Sequence, residues 1–240
     1  MTQTRNVPRK KRRSPEPLPR ATRLPFIAGV DEAGRGPWAG PVVAAAVILR
    51  RRTLSVRIDD SKRLTLHQRL RAYQAIVEQA SIGIGIVPAE LIDVHNIRQA
   101  TLAAMAQAVS NLAWTPSLVL VDGKDAPPLS VPCQPIINGD QLSYPIACAS
   151  IVAKVTRDAL MEFYHRLFPA YQFDRHKGYG TRIHLDALKA HGPSPFHRMS
   201  FQPVQDVIRE AAHEVLTEFP SRHAPIVAQR EVAVAPAGLV

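Results

Sequence analysis

Two continuous apolar runs open the patterned part of the chain. Phe26 to Val30 and Pro41 to Leu49 (PVVAAAVIL) contain no polar side chain, and their shortness and β-branched content predict buried strands. Between them, Gly34, Gly36, Pro37, Gly40 and Pro41 exclude a helix and predict a turn. The period then lengthens. Leu66, Leu70, Tyr73, Ile76 and Val77 recur every three or four residues behind Thr65, a good N-cap, predicting a helix that ends before Ser81. Ser81 to Val87 (SIGIGIV) alternates as a strand does. Asn96 can cap an Ala-rich helix through Leu112, with Leu102, Met105 and Val109 facing inward. Ser117 to Val121 predicts a strand that stops at Asp122, and Gln134 to Ile137 a short one that stops at Gly139 and Asp140. Ile146 to Phe168 is the longest helical stretch. A loop from Pro169 to Gly180, a helix from Thr181 to Ala190, a break at Gly192 to Pro195 and an amphipathic helix from Val204 to Phe219 follow. There is no internal repeat. This order predicts an α/β domain, a mixed central β-sheet flanked by helices with a helical C-terminal part, whose ligand crevice borders strand termini.

All of these elements fall within residues 24–219, and 240 residues at 46% apolar content suffice for one sizeable core. Residues 1–23 are expected to form a disordered basic arm and 220–240 a flexible tail. The formal net charge of +10 changes meaning once located: Met1 to Arg23 hold eight Lys and Arg against the single acid Glu16, so seven of the ten positive charges belong to the arm. The run Arg9 to Arg13 fits a solvated arm or sequence-independent contact with phosphates. Cys133 and Cys148 lack metal or redox spacing, which fits a reducing, cytoplasmic setting. No window approaches the roughly 18 uninterrupted apolar residues of a membrane span, and nothing marks the chain for export. A soluble monomer without membrane association is expected.

The acids carry the chemistry. Asp31 and Glu32 directly follow one apolar run and Asp122 follows another, so folding brings charged groups to the edge of a core, where something must offset the cost. Hard divalent cations prefer oxygen ligands and make clustered carboxylates favourable. Two such ions about 3.5–4 Å apart can serve in-line displacement at phosphorus. Taken singly, Asp122 in VDG and Asp140 in NGD are ordinary turn residues. Strand alternation would send Asp31 and Glu32 to opposite faces, so a shared site requires the strand to end or bulge between them.

The segment GVDEAGRGPWAGPVVAAAVIL resembles the opening of ribonuclease HII, and the likeness continues through DDSKRL, LVLVDG, GD followed by SIVAKVTRD, HKGYGT and GPSPFHRMSF, from about Ile27 to Phe201. The resemblance implies a ribonuclease H-like fold. In it Asp31, Glu32, Asp122 and Asp140 are the catalytic, metal-binding carboxylates for Mn²⁺ or Mg²⁺. It implies that the backbone of Gly34, Arg35 and Gly36 contacts the 2′-hydroxyl of a ribonucleotide and that Tyr179 helps to read the RNA–DNA junction. The substrates implied are RNA/DNA hybrids and duplex DNA containing ribonucleotides, cut 5′ to the ribonucleotide to leave 3′-hydroxyl and 5′-phosphate ends. Elementary chemistry agrees: only the 2′-hydroxyl separates RNA from DNA at a given position, and glycine lets backbone amides approach it closely. Gly178 and Gly180 are expected to hold Tyr179 on a flexible, accessible loop.

Ser61, Lys62, Arg35, Lys154 and Lys177 are candidate phosphate contacts, with a solvated surface charge as the alternative for each. Lys154, Arg157 and Asp158 share one helix at spacings that suit a local ion-pair cluster. His184 and His197 could assist product release or proton transfer, but they have no partner visible in the sequence and read as structural. Trp38, Asn138, Tyr144 with Pro145, and Cys148 depart from the family's usual residues without removing a presumed ligand. Of the rivals, ribonuclease HIII carries an added N-terminal domain for which residues 1–23 are too short. A non-catalytic hybrid binder would use the same arm and turn without cleavage.

Overall fold

In a computed structural model, residues 26–51, 53–61 and 63–218 are described, with side chains to residue 213. The basic arm 1–23, the segment 220–240 and Lys62 lie outside the described residues. The apolar runs form a five-stranded sheet: β1 (Ile27–Ala33), β2 (Val42–Leu49), β3 (Ala80–Val87), β4 (Leu118–Asp122) and β5 (Cys133–Ile136). Strand order is β3-β2-β1-β4-β5. β1 and β2, like β2 and β3, pair antiparallel, whereas β1 with β4 and β4 with β5 pair parallel.

The continuous apolar run of β2 is explained by helices on both faces. Its Val42, Ala44, Ala46 and Ile48 join a core with Ile92, Ala104, Met105 and Ala108 of α2 (Ala89–Ser110). The alternate residues Ala45 and Val47 pack with Ala72 and Ile76 of α1 (Leu66–Gln79) and with Cys148, Ile151 and Val152 of the long helix. Small residues set the layer spacing: Gly83 and Gly85 of β3 lie against the α2 backbone, and Gly29 of β1 lies against Pro145 and Ile146, with no room for a Cβ. After α2 come α3 (Gly139–Leu142), α4 (Tyr144–Leu167), α5 (Phe173–His176) and α6 (Arg182–His191). The last is α7 (Gln202–Glu218). No helix among the described residues is long and apolar enough to cross a membrane.

The predicted elements occur, with the unpredicted α3 after β5 and three further differences. First, β1 extends through Asp31 and Glu32 to Ala33 without a bulge, in regular register with Ala45, Ala44 and Val43. Second, α2 begins at Ala89 rather than after Asn96. Asn96 sits inside it at φ 65°, ψ 161°, and its Oδ1 accepts from Arg98 N and Gln99 N at 3.0 and 3.1 Å. It is therefore the cap of a second helical segment joined to a first one that the capping signal hid. Third, the stretch after α4 contains a 3₁₀ turn, Pro169–Tyr171, and α5.

Candidate active site

The C-terminal ends of three parallel strands meet on one side of the sheet. β1 ends in Asp31, Glu32 and Ala33, β4 ends in Asp122, and a short turn after β5 leads into α3, where Asp140 stands in the first turn. The turn is tied to β4: Gly139 N donates to Asp122 Oδ1 at 2.6 Å. Asn138, just before it, takes a left-handed conformation (φ 55°) that asparagine tolerates. The parallel pairing of β1 with β4 stops at Val30 and Val121, so Asp31 to Ala33 pair on the β2 side alone.

That open edge resolves the alternation problem. Asp31 and Glu32 line one cavity of about 590 Å³ even though the strand neither ends nor bulges between them, and Asp122 and Asp140 line it too. Its other walls are Ala33, Gly34, Arg35, Gly36, Ser61, Ser150, Lys154 and Tyr179. Of the site residues expected from the sequence, all border this cavity except Lys177, which the structure does not bring to it, and Lys62, outside the described residues. A second cavity, about 640 Å³ beside Trp114 and Leu129, is lined by no charged residue.

Asp31 is 6% exposed and its Oδ1 accepts from Glu32 N at 2.7 Å. Burial pushes its carboxyl well above the ordinary range, and the neighbouring Glu32 and Asp122 push it further. Burial raises Glu32 as well, while Arg35, 3.4 Å away, pulls it back and Asp122 adds to the rise. Such a cluster is what a divalent cation would relieve, and its donors are hard oxygens. Among the described residues no three His, Cys, Asp or Glu side chains form a ready cage. The acids instead border an open cavity, which leaves room for a divalent cation that retains several waters.

Ser61 is buried and lies 3.1 Å from Ser150, its hydroxyl partner on α4. Ser150 also hydrogen-bonds Asp31. It was not singled out from the sequence, although it lies one helical turn before Lys154, a spacing that places both on one face. Lys154 Nζ is 2.6 Å from Asp158 Oδ1, and Asp158 also faces Arg69, so the ion-pair reading of Asp158 holds. Arg157 does not belong to that cluster. It is buried and donates to the carbonyls of Pro41, Lys177 and Ala39 instead. Lys177 pairs with Glu162 at 2.8 Å.

Tyr179 is 44% exposed and its ring lies 5.9 Å from the Arg157 guanidinium. The ring is accessible, as expected, and its flanking glycines serve packing: a Cβ on Gly178 would overlap Ala39 O and one on Gly180 would overlap the Trp38 ring. The larger aromatic at Trp38 fills the space Gly180 leaves and lies 5.3 Å from the His184 ring. His184 and His197 are indeed structural, and their partner, hidden in the sequence, is each other: Nε2 to Nε2 is 3.0 Å. Tyr144 donates no catalytic group; its hydroxyl accepts from Leu54 N at 3.0 Å. Burial pushes the Cys148 thiol up to about 12, leaving it an inert core residue.

The Ribonuclease HII family model matches residues 28–204. The chain is 53% identical over 186 residues to the ribonuclease HII of Chlamydia muridarum (strain MoPn / Nigg), spanning 77% of this chain and 85% of that one. Among solved structures, the ribonuclease H2 from Pyrococcus horikoshii OT3 superposes with a TM-score of 0.65 at 23% identity, over 77% of this chain and 97% of that chain. Bst-RNase HIII in complex with Mn²⁺ gives 0.59 at 18% identity, over 78% of this chain and 70% of that one. Both structural likenesses concern the fold.

Proposed function

The chain belongs to the ribonuclease HII family, metal-dependent ribonuclease H endonucleases, and from that premise we propose that it hydrolyses the phosphodiester on the 5′ side of a ribonucleotide. Its substrates are RNA/DNA hybrids and DNA duplexes with embedded ribonucleotides, and its products carry 3′-hydroxyl and 5′-phosphate ends. Ribonucleotide removal from DNA and degradation of RNA primers in the cytoplasm are the corresponding roles. The observation that carries this reading is one cavity bordered both by four carboxylates from three parts of the chain and by a glycine turn.

Asp31, Glu32, Asp122 and Asp140 are the groups to hold Mn²⁺ or Mg²⁺, which when bound supply an activated water and offset charge at the phosphate. The chain's own residues do the rest. Gly34, Arg35 and Gly36 present backbone toward the ribose, and a site built around a 2′-hydroxyl can reject its absence by roughly 10⁴-fold, because buried donors would go unpaired. Tyr179 offers an exposed ring at the rim for the RNA–DNA junction. Ser61 and Lys154, with Lys62, supply phosphate contacts that position without reading bases.

The test is a DNA duplex carrying one ribonucleotide, incubated over a series of divalent metals. Cleavage 5′ to the ribonucleotide is expected, and loss of it in folded Asp31→Asn and Asp122→Asn variants. Parental rates in those variants would end the carboxylate assignment. Tight hybrid binding without cleavage under any metal would favour a non-catalytic binder.

A further inference from the structure

We propose that Arg157 and Arg198 are positioning residues for ribonucleotide recognition, holding the carbonyls of the Gly34 to Pro41 turn inward so that its amides stay presented to the cavity. The inference rests on the reading of that turn as the ribose contact.

Both side chains are buried, Arg157 at 1% and Arg198 at 0% exposure. Charged side chains are seldom buried without an ionic partner, yet among the described residues neither guanidinium forms a salt bridge with a carboxylate. Their donors go to carbonyls. Arg198 Nη1 donates to Arg35 O at 2.8 Å, Nη2 to Gly34 O at 2.5 Å and Gly40 O at 2.9 Å, and Nε to Gly40 O at 3.0 Å. Arg157 Nε donates to Pro41 O at 3.0 Å and Nη2 to Ala39 O at 3.1 Å.

The consequence follows from peptide geometry. In a planar trans peptide the C=O and the following N–H point in opposite directions. Fixing the Gly34 and Arg35 carbonyls on buried Arg198 therefore turns the Arg35 and Gly36 amides the other way, and both residues line the cavity. No described residue accepts a backbone hydrogen bond from either amide. Gly34 is required for the same reason: at φ 98° it lies on Arg157, where a Cβ would overlap the guanidinium stem. Arg157 also donates to Lys177 O at 2.9 Å and lies beneath the Tyr179 ring, joining the two parts of the rim. The pair is costly to bury. Burial lowers Arg198 to about 9, and the like charge of Arg157 adds to that. A lysine keeps the charge but cannot fork to several carbonyls.

Arg198→Lys and Arg157→Lys test this. The parent and each variant are assayed for cleavage of a single-ribonucleotide duplex in Mg²⁺, with an all-DNA duplex of the same sequence as competitor. In folded variants KM for the ribonucleotide duplex should rise about tenfold or more, as expected when hydrogen-bonding donors lose their alignment. Inhibition by the all-DNA duplex should stay near parental, so the ribonucleotide preference falls. A merely structural role would lower the active fraction and kcat with the preference unchanged, and that result in a folded variant overturns the proposal. A parent with no preference would overturn the underlying ribonucleotide reading instead. Should neither variant fold, amide hydrogen exchange in the parent decides: exchange at Arg35 and Gly36 should slow with the ribonucleotide duplex and not with the all-DNA duplex. Equal exchange with both refutes the proposal.

Discussion

Lowering the pH from 7 to 5 should destabilise the fold through His184 and His197. Ser194 N donates to His197 Nδ1 at 2.9 Å, so the proton of that ring sits on Nε2 and points at His184 Nε2, 3.0 Å away. His184 in turn donates from Nδ1 to the Tyr179 carbonyl at 2.9 Å. A proton added to either ring would set N–H against N–H in a buried site. Burial accordingly lowers His184 to about 4 and His197 to about 3, each ring opposing a charge on the other or on stacked His176. Unfolded histidine titrates near about 6.5. A depressed folded value means that stability is fully present above the unfolded value and is lost as pH falls from there toward the folded values. At pH 5 the loss is roughly 2 kcal/mol per ring, or about 4 kcal/mol for the pair. Urea unfolding of the parent and of His197→Gln, followed by tryptophan fluorescence from pH 5 to 7, checks it. Asp31 and Glu32, raised by burial, drive stability the opposite way, but they are common to both proteins and cancel in the comparison. The variant should show a slope shallower by about 1 kcal/mol per pH unit over that window. Equal slopes would refute the neutral-pair reasoning.

Asp31→Asn should raise the melting temperature of the metal-free protein, since it removes a buried charge that faces Glu32 and Asp122. A gain on the order of 1–3 kcal/mol corresponds to roughly 2–4 °C per kcal/mol, and a lower melting temperature in a chelator would contradict it. Gly180→Ala should cost about 1–3 kcal/mol by overpacking against Trp38. Adding Trp38→Val should recover part of that in a double-mutant cycle, whereas strict additivity would show that the two do not touch. Tyr179→Ala, at a half-exposed position, should leave the melting temperature near parental while cleavage spreads away from the RNA–DNA junction. Removing residues 1–23 should weaken duplex binding mainly at low salt and leave the cut position unchanged, as expected of sequence-independent phosphate contacts.

The pattern of the sequence reaches the site by two routes that differ in range. The period of the apolar runs locates β1, β4 and β5, and hence puts Asp31, Asp122 and Asp140 at strand ends, because a buried strand announces itself locally. What alternation could not supply was the way Glu32 joins them. That depends on β4 stopping its pairing at Val121 while β1 continues, a fact about two strands and not about one. Asn96 shows the converse: its capping chemistry is local and correctly read, but the residues before it are also helical, and the break lies inside one element. Arg157 and Arg198 were invisible as turn supports, since a charged residue's full burial is decided by partners more than a hundred positions away. Likewise the histidine pair, thirteen positions apart, needs the chain between to fold back before either ring has a partner.

These long-range contacts bear on why ribose recognition and phosphate chemistry would be coupled in one cavity. Asp31, Glu32, Gly34, Arg35 and Gly36 are nearly consecutive, so the carboxylate end and the amide end of the site are one piece of backbone. The carboxylate end is fixed by β-ladder pairing to β2, but the turn has left the sheet, and glycines there add freedom rather than order. Without an external support, its amides would drift relative to the acids. Misplacement of about 1 Å can lower a rate on the order of 100-fold. Two buried guanidiniums on α4 and on the segment before α7 hold the turn's carbonyls from beneath, and under the proposed ribose reading that support would keep the ribose contact in register with the scissile phosphate.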